Sequence, residues 1–200
     1  NIAFQLRRET IPEYWVALGG AWRETDVDAS LTSFLRTNEP GQLGETEARS
    51  ISISTGVDTR NDPANPTEGV VHIWSIERTT CGKCARQPPA YRWTFQDRRY
   101  YDVTSRVSVM ARNLFEVVDG ELPIDLYGEL GDPGRRVRGV GGDGSVRGLS
   151  KSRYMDDVRF VTGAEVHYLA DSRFWMKQFL ELRFAVFADA GRVWHRLSDV

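Results

Sequence analysis

Strict period-two alternation of side chains constrains this chain more than any other feature. Over residues 158–170, Phe160, Thr162, Ala164, Val166 and Tyr168 share one parity, and Val161, Gly163, Glu165 and His167 share the other. Successive residues of a strand point to opposite faces, so each such stretch reads as a strand with one apolar and one polar face. The same pattern recurs over 1–9, 13–24, 49–58, 69–79, 90–98, 104–114 and 176–191. In 90–98, Tyr91, Trp93 and Phe95 oppose Arg92, Thr94, Gln96 and Arg98. Amphipathic helical patterns are scarce, and no apolar run reaches the ~20 residues of a membrane helix. The chain is therefore expected to be all-β. A Gly19-Gly20 pair inside the second strand marks a place for a bulge or bend, and 25–47 is a polar loop with room for a short helix.

Connection lengths narrow the architecture. From residue 13 onward, long connections (25–47, 80–89, 115–157) take turns with shorter ones (60–68, 99–103, 171–175). In an up-and-down antiparallel sheet this puts every long loop at one end. Outer-membrane barrels have that asymmetry. A soluble sandwich produces the same alternation with one buried and one wetted face, so the loop asymmetry and strand lengths decide for the barrel.

Composition removes other classes. Net charge is −2 with both signs interspersed, so no basic stripe points to nucleic acid. No nucleophile–base set, cofactor cradle or metal-ligand cluster stands out, and no enzyme activity, cofactor or metal is expected. The two cysteines, Cys81 and Cys84, form one CxxC between strand patterns. One pair cannot supply four zinc ligands, and a local disulfide in an oxidising compartment is the expected state.

Three segments carry a family resemblance. Asp58-Thr59-Arg60-Asn61-Asp62-Pro63, running on through Pro66 to Gly69, resembles a DTRDNPxxPxxG turn. Gly141-Gly142, Val146-Arg147-Gly148-Leu149 and Ser152-Arg153-Tyr154 resemble a GG…VRGF…RF loop, with Leu149 where the family has an aromatic. Phe187-Ala188-Asp189-Ala190-Gly191-Arg192-Val193-Trp194 resembles FxDxGxxW. In this order and spacing they resemble the barrel of the Omp85 superfamily, the bacterial surface antigen D15 family that includes BamA, TamA and two-partner secretion transporters.

The resemblance implies a sixteen-stranded barrel in the bacterial outer membrane, of which residues 1–200 would be about eight strands of a longer polypeptide. It implies that the glycine-rich loop 115–157 folds into the lumen, where Arg147 meets Glu165 and Asp189 on the next two strands. Arg138, in Val137-Arg138-Gly139-Val140, is the alternative arginine. The implied activity is insertion of outer-membrane proteins or translocation of a secreted partner. The implied partners are outer-membrane lipid, unfolded outer-membrane clients and accessory lipoproteins. Two other readings stand beside it: a passive anchor for an N-terminal domain such as a patatin-like lipase, and a soluble all-β binding module.

Overall fold

A computed structural model describes residues 2–27, 44–82, 88–131, 136–151 and 153–200. Eight long strands form one antiparallel sheet: β1 (Ile2–Ile11), β2 (Tyr14–Val27), β3 (Gly44–Asp58), β4 (Gly69–Cys81), β5 (Ala90–Thr104), β6 (Val107–Asp119), β9 (Val158–Trp175) and β10 (Gln178–Trp194). Their order in space is β1-β2-β3-β4-β5-β6-β9-β10, and the sheet is not closed. Between β6 and β9 the chain makes a single-turn helix α1 (Ile124–Tyr127) and a small ladder of β7 (Glu129–Leu130) with β8 (Val137–Arg138). The expected all-β, up-and-down antiparallel section of a barrel is what the chain forms.

Register separates the two faces. One continuous row runs Leu6–Leu18–Ile53–Ile76–Trp93–Val117 across six strands. The five from Leu6 to Trp93 are large and exposed. The next row in register, one residue along each strand, is Ala17–Ser54–Ser75–Thr94–Glu116–Arg159. From Ser54 to Arg159 these are polar yet buried, and the segment between β6 and β9 lies over the Glu116–Arg159 end, where Gly131 donates to Glu116 and Arg159 donates to the Tyr127 and Glu129 carbonyls. The sheet thus has an open face with an apolar central row, next to a polar row His72–Asp97–Asn113–Thr162, and a polar face partly covered by its own loop.

Two hydrophobic clusters seat that loop. Leu122 and Leu126 pack on Ala48, Ala90 and Val118 of the wall. Leu130, Val140 and Val146 pack on Val161, flanked by Leu114 and Val193.

Several boundaries differ from the alternation reading. The β5–β6 turn lies between Thr104 and Val107 rather than at 99–103, and the β9–β10 turn is Met176-Lys177, both at positive φ, rather than 171–175. Both misplaced stretches are rich in charge, which reads as turn in a soluble protein but belongs on strands with a polar face. Gly19-Gly20 carries no bulge: register is continuous through it on both sides. A Cβ at Gly19 would meet Ser52 Oγ at 2.6 Å, and one at Gly20 would meet the Phe4 ring at 2.7 Å. The short helix expected within 25–47 lies outside the described residues, except that β2 runs to Val27 and β3 starts at Gly44. No helix among the described residues is long and apolar enough to cross a membrane.

Candidate functional site

Antiparallel pairing brings the site together. Asp189 on β10 lies opposite Gly163 on β9, and Gly163 lies opposite Arg112 on β6. Two residues along, Phe187 pairs with Glu165. The loop delivers Arg147 onto this patch. Arg147 Nε donates to Asp189 Oδ2 at 2.6 Å, and Nη2 donates to Oδ1 at 2.9 Å. Its backbone N–H donates to Oδ2 at 3.1 Å. The third nitrogen, Nη1, is 2.6 Å from Glu165 Oε1. The guanidinium lies 3.7 Å above the centroid of the Phe187 ring. The planar fork is thus used on both edges and one face. The hydrogen bond to Asp189, ahead of that to Glu165, holds the Arg147 pKa above its ordinary value, so its charge is permanent.

The structure accounts for other motif positions. A Cβ at Gly191 would stand 2.7 Å from Val140 Cγ1 and 2.8 Å from Val146 Cγ2. Glycine there leaves the seat into which the loop's two valines fit. Gly148, at φ +87°, and Leu149, 40% exposed, form the outer turn after Arg147. Trp194 pairs with Val158 and stacks with Arg192 on the opposite face, away from the loop. His167 Nε2 lies 2.8 Å from Glu165 Oε2, extending the line of charge along β9. Arg138 lies in β8, and its side chain is outside the described set.

The turn motif closes the other end of the same face. Arg60 clamps Asp58 with two bonds of 2.8 and 2.7 Å and donates to the Pro63 carbonyl at 3.1 Å. Asn61 Oδ1 accepts the backbone N–H groups of Asp62, Thr67 and Glu68 at 2.9–3.3 Å, and its Nδ2 donates to Thr67 Oγ1 at 2.9 Å. The turn leans across the polar face: Thr67 donates to Asp102 of β5 and Asn65 accepts from Arg183 of β10. Pro66 and Asn65 thereby roof a cavity of about 240 Å³ over Tyr100, Met110 and His167. Gly69, at φ +110°, ends the turn against Thr59. Cys81, at the end of β4, is disulfide-bonded, and Cys84 lies outside the described residues.

Sequence reasoning missed a second fastening, at the loop's base. Arg23 and Arg136 both pair with Glu129 of β7, at 2.7 and 2.6 Å. Arg136 also pairs with Glu77 of β4. Arg92 sits 3.8 Å from Glu77 and 3.9 Å from Glu116, and Arg159 is 3.2 Å from Glu116. Arg92 and Arg159 donate to the carbonyls of Leu126, Tyr127 and Glu129, and Glu116 accepts the N–H of Gly131. Seven alternating charges therefore step from β2 to β9 with the loop interleaved. Burial works against ionising Glu129, yet the two arginines outweigh it and hold its carboxyl below the ordinary carboxylate range. The available signal was Arg92 on the polar parity of β5, but its partners depend on register.

At the rim, Asp156, Asp157 and His195 each bring one potential ligand atom within 4.8 Å of the others. All three reach solvent, and His195 stands 3.4 and 3.8 Å from the two carboxylates, so polar contacts within the group account for it.

The sequence model of the Omp85 superfamily domain matches residues 1–199. No curated protein and no solved structure gives a significant match. The match spans nearly the whole chain, and the chain belongs to the Omp85 superfamily, whose members are outer-membrane proteins of the assembly and translocation class.

Proposed function

We propose that this chain is the lumen-lining part of a larger outer-membrane barrel that assembles membrane proteins or translocates a partner, in the manner of the BamA and TamA branch, with no covalent catalysis of its own. The observation that supports this reading most directly is the fastening of the inward loop through Arg147 to Asp189 and Glu165 on two adjacent strands. A barrel that only anchors another domain has no need to hold one loop by a doubly paired arginine at its tip, a charge ladder at its base and two apolar seats. The partners that fit are outer-membrane lipid on the apolar face, unfolded outer-membrane clients or a secreted protein, and accessory lipoproteins. The eight strands would be one section of a sixteen-stranded wall.

The test is Arg147→Glu in the intact protein, in a host that depends on it, with the amount of folded outer-membrane client as readout. The expected result is a loss of client assembly at normal levels of the variant. Normal client assembly with the loop demonstrably released would overturn the reading and favour a passive anchor, such as one for a lipase domain.

A further inference from the structure

The Asp189 carboxylate does not serve Arg147 alone. Arg112, on the wall strand β6, donates through Nη2 to Asp189 Oδ1 at 2.9 Å. The same nitrogen donates to the Ser145 carbonyl, and Nη1 donates to the Gly144 carbonyl at 3.4 Å. One guanidinium therefore holds both the wall carboxylate and the loop backbone two residues before Arg147. This reach is possible because the residue between them on β9 is Gly163. A Cβ there would collide with Asp189 Oδ1 and stand 2.9 Å from Arg112 Nε. Around Ser145 the loop is also internally braced: Ser145 Oγ accepts from Gly141 N at 2.8 Å and donates to the Gly139 carbonyl at 3.0 Å. Whatever holds Ser145 holds the whole glycine turn.

We propose that Arg112 is a second, wall-borne positioning residue for the inward loop, acting in parallel with Arg147 through a shared Asp189. Two consequences follow from the charges. With four donor contacts on the two Asp189 oxygens, removing Arg147 leaves the carboxylate paired with Arg112 and the loop still gripped at Ser145 and Gly144. Exchanging Arg147 and Asp189 places the new arginine against Arg112 and the new carboxylate against Glu165, so the exchange fails to restore the site, and relief by a change at Arg112 isolates the share due to Arg112. A simple two-residue ion pair predicts the opposite in both cases.

The experiment uses Val146→Cys in the intact protein in its membrane. Val146 is 7% exposed when the loop is docked, so labelling by a small water-soluble maleimide reports release; the unsubstituted protein is the blank. Arg147→Ala and Arg112→Ala are expected to raise the labelling rate a few-fold each, and together by well over the product of the two, because coupled sites are non-additive. Arg147→Glu with Asp189→Arg is expected to stay as reactive as Arg147→Glu alone. Adding Arg112→Gln, which keeps a donor for Ser145 without the charge, is expected to bring labelling back toward the parent value. Gly163→Ser is expected to mimic Arg112→Ala. Where Arg112→Ala fails to fold, Arg112→Gln and Arg112→Lys replace it; lysine keeps the charge and loses the fork, so labelling is expected to rise. Full protection restored by the two-residue exchange, or an Arg112 effect that is merely multiplicative with that of Arg147, would overturn the proposal. The inference rests on the assembly reading only for the loop's importance. Labelling reads the loop and client assembly reads that importance, so released loops with normal clients would sink the assembly reading and leave this one standing.

Discussion

At the scale of single residues, the site is organised around one carboxylate with almost no solvent access: the Asp189 side chain is 1% exposed. Breaking a buried pair from one side leaves an uncompensated charge, at a cost of about 3–5 kcal/mol. Asp189→Asn is expected to destabilise the docked loop by that order, read as a lower midpoint in urea unfolding of the reconstituted protein. Gly191→Val tests the apolar seat separately, since its side chain would occupy the space of Val140 and Val146. It is expected to release the loop to protease without altering any charge. Arg147 was legible in the sequence through its loop motif, Glu165 through strand parity and the family resemblance, and Asp189 through both a motif and parity. Arg112 was not legible. On β6 it is one polar position among several, and what singles it out is register with Gly163 and Asp189, set by how far each strand slides past its neighbour. Asn61 was hidden for a different reason: inside a turn full of Asx and proline residues, nothing local says which side chain collects three backbone N–H groups.

At the scale of elements, the loop is held at its tip and at its base, and the base carries a pH dependence of its own. Glu129, in the short β7, is kept below its ordinary pKa by Arg136 and Arg23 against the pull of burial. A depressed carboxyl contributes stability above its unfolded pKa of roughly 4.3 and loses that contribution as pH falls through the lower folded value. The base of the loop is therefore expected to stay protected at neutral pH and to open only below about pH 4, read as protease cleavage within 120–140. Glu129→Gln is expected to leave that region partly open at neutral pH and to flatten the acid step. The 59–68 turn is the second element with a defined weak point. Asn61→Ala hands three exposed backbone donors to water and is expected to cost about 0.5–1.5 kcal/mol locally. Faster nicking of the turn at unchanged barrel stability is the measurement. The turn's existence and ends were plain from its prolines and Gly69. Its lean across the lumen-type face, toward Arg183 on β10, comes from tertiary contacts that no local pattern encodes.

At the scale of the whole molecule, the question is what covers the apolar face. In the row from Leu6 to Trp93, Ile53 is 56% exposed and Ile76 is 50% exposed, while the polar face beneath the loop holds Glu116 and Arg159 at 0%. A water-soluble sheet puts its charges outward and its isoleucines inward. This one does the reverse, and lipid is the solvent that makes both faces favourable at once. Sequence alternation could not choose, because swapping the two environments leaves the pattern unchanged; the buried ladder on the loop-bearing face breaks that symmetry. The choice is testable at one position. In a bilayer, Ile76→Arg puts a charge on the hydrocarbon face and is expected to cost about 2–4 kcal/mol near the midplane and less toward either interface. Asp143→Arg, on the exposed loop surface, is expected to stay within about 0.5 kcal/mol. Both are read by urea titration of the protein folded into vesicles. If the face were open to water, Ile76→Arg would be close to neutral and would raise solubility without detergent. That result would remove the membrane from the account, and with it the reason for setting a charge ladder between the wall and its loop.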